Sequence, residues 1–135
     1  MKEVMAVIRA NKINQTKSAL VDAGLPAFTG MAALGRGRRP VEFELLQAIN
    51  ENPAQGAEVL PTLSQGGRLI PKRLISLIVP DERVPEVVQT LIKVNQTGKP
   101  GDGKIFVLPI SEIIRIRTGD TGLQAIDEMI RPAEA

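Results

Sequence analysis

"KRLISLIVPDERVPEVVQTLIKVNQTGKPGDGKIFVLPI", residues 72–110, contains a complete strand–helix–strand unit. Its first nine residues are rich in apolar and β-branched side chains and end at Pro80, which has no N–H to give to a β-ladder. The period then changes. Val84, Val87, Val88, Leu91 and Ile92 repeat at i, i+3, i+4, i+7 and i+8, the stripe of an amphipathic helix, with Asp81 placed to cap it. After the glycine-rich stretch "NQTGKPGDG", the segment "KIFVLPI" (residues 104–110) returns to strand chemistry.

The N-terminal part repeats this order. "VMAVIR" (residues 4–9) reads as a strand. Asn14 reads as an N-cap of a helix of about three turns, with Ile13, Thr16, Leu20 and Ala23 at helical spacing and Gly24 and Pro26 as its stop. Residues 27–34 give a second, weaker strand, and residues 40–70 show no sustained period, which marks a long loop of the kind that usually carries function. The order β-α-β, long loop, β-α-β predicts an α+β fold of the ferredoxin-like double βαβ type, in one domain spanning residues 1–135. Residues 111–117 are expected to add a short fifth strand and residues 123–130 a small terminal helix.

In "VMAVI", "LISLIV" and "IFVL" both alternating faces are largely apolar, yet two helices cover only one face of a four-stranded sheet. The uncovered faces are expected to pack together in a closed symmetric oligomer.

Composition narrows the chemistry. The chain has no cysteine and no histidine, which excludes disulfides, thiolate nucleophiles, Cys/His zinc sites and histidine-based triads. Phe28, Phe43 and Phe106 are its only aromatic residues, too few for a base-stacking platform, so no nucleic-acid partner is expected. No apolar run reaches membrane-spanning length and no signal-peptide pattern opens the chain, so a cytoplasmic protein without membrane insertion is expected. No pair of carboxylates stands at a spacing that demands acid–base work, and no enzyme is expected.

Two basic clusters and one glycine loop remain. "GRGRR" (residues 35–39) and "RIRTG" (residues 115–119) would each suit a polyanion. The loop "GKPGDGKI" meets the phosphate-loop template at Gly98, Gly103 and Lys104 and departs from it at Ile105, where a hydroxyl belongs. It also follows a helix and opens a strand, the reverse of a Walker loop, so no helix N-terminus stands behind it. Two readings stay open: a helix-to-strand turn, or an anion site in which Lys104, Arg115 and Arg117 supply charge. Asp102 reads as an Asx-type backbone acceptor rather than a general base or a magnesium ligand.

The blocks "TGKPGDGKIFVLPI", "IRIRTG" and "LGRGR" together resemble the P-II family of nitrogen signal-transduction proteins, over residues 1–39 and 71–126. The resemblance implies a trimer that binds ATP or ADP in the clefts between subunits, with magnesium accompanying ATP. It also implies a long flexible T-loop, residues 36–71, that changes shape with ligand and docks on target proteins. By position, Gly101, Gly103, Lys104, Arg115 and Arg117 would hold phosphates and Arg38 would reach them from the loop base. Val7, Thr29, Gly35, Gly37 and Ile78 would shape the nucleotide pocket, and Lys72 matches the lysine that contacts 2-oxoglutarate. No residue is implied as a direct metal ligand.

The departures from the family pattern are specific. Arg39 and Pro40 replace a glutamine and a lysine, and a guanidinium does not ligate magnesium, so 2-oxoglutarate binding through magnesium-ATP would call on a partner subunit. The chain has no tyrosine, which excludes T-loop uridylylation. The long loop and "IKVNQTGKPGDGKIFV" most resemble the nitrogenase-operon branch, in its second paralogue, which acts with the first to inhibit dinitrogenase. Phe43, Leu45 and Leu46 are then candidates for docking on the target, or for anchoring the loop on its own trimer. Regulation of an ammonium transporter is the alternative within the family.

Overall fold

The computed structural model describes residues 1–37 and 69–131. Arg38, Phe43, Leu45 and Leu46 lie outside the described residues, as does most of the segment read as the T-loop. Four strands form one sheet: β1 (Lys2–Arg9), β2 (Thr29–Gly35), β3 (Ile70–Val79) and β4 (Lys104–Pro109). Their order is β2-β3-β1-β4 and every neighbouring pair is antiparallel. Among the described residues the α-helices are α1 (Ile13–Asp22), between β1 and β2, and α2 (Val84–Asn95), between β3 and β4. Each β-α-β unit is therefore split by a strand of the other, which is the expected ferredoxin-like α+β arrangement.

The side chains sort by the two-residue alternation of a strand. Val4, Ala6 and Ile8 of β1 and Ile75, Leu77 and Val79 of β3 pack with Leu20, Leu25, Val87 and Leu91 in one core, closed below by Ile126 and Met129. No helix among the described residues lies on the opposite face. Register places Met31, Leu74, Val7 and Lys104 in one row across it, and Thr29, Ser76, Met5 and Phe106 in the next. Met31 and Phe106 are each about half exposed there, matching the expectation of an apolar face left over after the helices are placed.

Both helix starts differ from the sequence reading. A 3₁₀ turn precedes each helix, Ala10–Lys12 before α1 and Asp81–Arg83 before α2, so the caps are Lys12 and Arg83, neither with a capping side-chain bond. Asn14 lies inside α1, and the Thr16 hydroxyl donates back to the Lys12 carbonyl at 2.7 Å. Asp81 does not cap α2; its carboxylate lies 2.8 Å from the Met1 ammonium, whose hydrogen bond is the main cause that lowers its pKa.

Past β4 the expected fifth strand does not form. Ile114 makes one isolated antiparallel bridge to Thr121 across a turn, and no ladder joins residues 111–117 to another strand among the described residues. The terminal helix is a 3₁₀ segment, Gly122–Met129, kinked at Ile126, with Ala125, Ile126 and Met129 buried. Arg83 fixes it to the body. This buried guanidinium donates to the carbonyls of Met129 (3.0 Å), Gly24 (3.0 Å) and Ala23 (2.8 Å), and its Nε donates to Glu86 at 3.1 Å.

Candidate functional site

The glycine loop between α2 and β4 is built around Asp102. Its carboxylate accepts from the Thr97 N–H (2.8 Å), the Thr97 hydroxyl (2.5 Å) and the Gly98 N–H (3.0 Å), so it braces the loop backward across four and five residues. The sequence expectation of a backbone acceptor holds, though the bonds run to earlier residues rather than to the next turn. Burial alone would raise the Asp102 pKa, but these bonds and the charge of Arg9 outweigh it and the pKa is lowered. Arg9 ties the loop to β1, donating to the Pro100 carbonyl at 3.0 Å and lying 3.4 Å from Asp102.

Gly103 is required where it stands. Its φ is +107°, and a Cβ built on it would overlap the Val7 carbonyl oxygen of β1. The close approach delivers Lys104 to the first residue of β4, opposite Val7. Lys104 is exposed and makes no ion pair among the described residues. Val7, Asp102, Gly103 and Lys104 line one cavity of about 410 Å³. Gly101, with φ of +101°, completes the turn beside it.

The second basic cluster lies at the other end of the sheet. Arg115 follows β4 past its C-terminal end, and its Nη2 donates to the Asp127 carboxylate (2.7 Å), the Glu128 carboxylate (3.0 Å) and the Ala125 carbonyl (3.3 Å). Nη1 lies 3.7 Å from Asp120. The hydrogen bond to Asp127 is the main cause that raises the Arg115 pKa, and the same bond lowers that of Asp127. Arg117, two residues on, is exposed and makes no ion pair among the described residues. Thr29 and Ile78 line a cavity of about 350 Å³ with Ile113, Ala125 and Glu128, next to this cluster.

The sequence-derived residues therefore fall into two groups. Val7, Gly101, Gly103 and Lys104 gather at one end; Thr29, Ile78, Arg115 and Arg117 belong to the other. Ile78 pairs with Glu3 whereas Lys104 pairs with Val7, a separation of four residues along β1, about 13 Å at strand rise. Gly35 lies near the first group's side, opposite Ile70, with its Cα facing the Lys72 side chain, and Gly37 follows it out of β2. Lys72 is buried and pairs in register with Arg9. Asp120, Asp127 and Glu128 were not anticipated as part of the site, because nothing in their spacing announces that a 3₁₀ segment folds them back onto Arg115.

No helix among the described residues is long and apolar enough to cross a membrane, and no cluster of three or more acidic residues among them could hold a metal ion. In comparison with known proteins, the model of the family "Nitrogen regulatory protein P-II" matches residues 1–120. A nitrogen fixation nifHD region GlnB-like protein 2 of Methanobacterium ivanovii is 46% identical over 127 residues, covering 93% of this chain and 99% of the relative. The nifHD1 region GlnB-like protein 2 of Methanosarcina barkeri is likewise 46% identical over 127 residues with the same coverage. A nitrogen regulatory protein P-II of Mesorhizobium japonicum is 37% identical over 126 residues, covering 93% of this chain and all of the relative.

Proposed function

The chain belongs to the P-II family of nitrogen regulatory proteins, and on that premise we propose that it is a nucleotide-responsive regulator of nitrogen fixation rather than an enzyme. The observation that carries the fixation context is the likeness, over nearly the full length of both chains, to proteins named for the nifHD region. The regulator acts as one domain, residues 1–135. Its ligand is ATP or ADP, the first with magnesium held by the phosphates rather than by protein side chains.

The separation of the two residue groups supports a site shared between copies. One copy would bring Val7, Gly101, Gly103 and Lys104, with Gly35, Gly37 and Arg38 from the loop base; its neighbour would bring Thr29, Ile78, Arg115 and Arg117. The fit rests on the braced loop. Asp102 is taken up by N–H and O–H donors and by Arg9, which leaves the Lys104 ammonium, among the described residues, without a competing carboxylate for a phosphate to displace. A trimer closes three such clefts and covers the apolar faces around Met31 and Phe106.

Nucleotide then biases the segment 36–71, which docks on a nitrogenase component together with a P-II paralogue. Lys72 at its end is the residue for 2-oxoglutarate, which calls on the paralogue because Arg39 stands where the family has a glutamine, and Phe43, Leu45 and Leu46 are the docking side chains. Calorimetric titration with ATP and ADP tests the site, and Lys104→Ala is expected to abolish binding while leaving the far-ultraviolet spectrum unchanged. Absence of binding by the unmodified protein would overturn the reading. Co-purification with nitrogenase tests the target; retention by an ammonium transporter instead would move the chain to a different branch of nitrogen control.

A further inference from the structure

Arg115 enters its site already engaged. Its Nη2 carries two N–H groups and faces three acceptors, the Asp127 and Glu128 carboxylates and the Ala125 carbonyl, so it is saturated; Nη1, with Asp120 at 3.7 Å, and Nε remain for a ligand. One guanidinium thus faces three carboxylates. The segment that holds two of them is not free to withdraw, because Ile126 and Met129 are buried in the core and the Met129 carbonyl accepts from Arg83. Lys104, at the opposite end, carries no such ballast among the described residues.

We propose that Asp127 and Glu128 are specificity-determining residues of the nucleotide site, setting how many phosphates it accepts. The inference rests on the nucleotide-binding reading given above. A phosphate chain that reaches Arg115 must approach these carboxylates, and each further phosphate adds about one negative charge to the repulsion. The cost therefore rises from AMP to ADP to ATP, while Lys104 attracts all three. The fixed acidic segment therefore holds ATP affinity down relative to ADP.

The experiment measures dissociation constants for ATP, ADP and AMP on the full chain, unmodified and as Asp127→Asn, Glu128→Gln and the double variant. In the double variant ATP is expected to tighten by about tenfold, ADP by about threefold and AMP hardly at all, for like charges removed within one screening length. Glu112→Gln serves as control, since among the described residues that carboxylate accepts only from the neighbouring Ile113 N–H, and it should leave the ratios unchanged. Should the double variant lose its fold, the two single variants carry the test with smaller steps. Binding by the unmodified protein with identical ATP-to-ADP ratios in every variant overturns the specificity role alone; no binding of any nucleotide by any form overturns it together with the reading on which it rests.

Discussion

The two ends of the sheet hold their charges in opposite ways. At the glycine loop the carboxylate is the tied partner: Asp102 is gripped by two amides, a hydroxyl and Arg9, and the cation Lys104 stands clear. At the C-terminal segment the cation is the tied partner, with Arg115 held by Asp127 and Glu128 and approached by Asp120. A site assembled from one end of each kind would meet an anion with a ready charge on one side and a contested one on the other. The difference teaches that the arginines of a basic cluster cannot be counted as available charge until their acidic neighbours are placed.

The comparison breaks most severely at Arg83, because the contested end exists only while the 3₁₀ segment is docked. Arg83→Met removes the donor of three carbonyls, that of Met129 in a buried bond and those of Ala23 and Gly24 in partly buried ones, and leaves Glu86 with Arg131 alone among the described residues; it is expected to cost about 3–5 kcal/mol. Urea unfolding reads the loss. Amide exchange should show residues 122–130 opening while the 97–104 loop keeps its protection, and equal loss at both ends would mean that the two are not independently held.

Next in size is Gly103→Ala, which acts on the other end. The added methyl meets the Val7 carbonyl at a φ of +107°, and relief requires β4 to move off β1, at about 2–4 kcal/mol. Nucleotide affinity should fall with it, since Lys104 is delivered by that approach. A variant with unchanged stability and affinity would show that the loop reaches its geometry without the contact between Gly103 and Val7.

The fold was legible because β1, β3 and β4 are apolar on both faces and the helices keep a clear stripe, and each of these elements stands within about two residues of its reading. The helix starts were less so. A 3₁₀ turn before each helix shifts the first α-helical residue, and Asp81, which has the chemistry of a cap, is claimed by the Met1 ammonium. At the loop end the glycine spacing marks Gly98, Gly103 and Lys104, and Gly103 does stand at a close backbone approach that selects glycine, whereas Val7 and Gly101 come only with the family resemblance. The carboxylates of the C-terminal end could not, because a pairing set by a kinked 3₁₀ segment leaves no period in the sequence. Arg83 sits in "DER" at the start of the second helix, and nothing in its spacing announces the Gly24 and Met129 carbonyls to which it donates.

The smallest expected effect is the response to acid, and it separates the ends by their carboxylates. Glu86 has its pKa lowered from 4.5, chiefly by the hydrogen bond from Arg83 and against the opposing effect of burial, and Asp102 has its own lowered from 3.8, its donors outweighing burial. A carboxyl with a folded pKa below its unfolded one binds its proton more readily when unfolded. Its stabilisation is therefore complete above the unfolded value and is lost as pH falls through the folded one. Stability should be level from neutral pH to about 5 and decline below the ordinary carboxyl values, by about 1 kcal/mol for each partly exposed pair. Amide exchange resolves the two: the Thr97 and Gly98 amides lose protection as Asp102 takes its proton, whereas the Arg83 contacts to Ala23, Gly24 and Met129, which end on carbonyls and do not titrate, keep residues 122–130 docked. Simultaneous opening of both ends at one pH would show that Glu86, rather than those carbonyls, holds Arg83 in place.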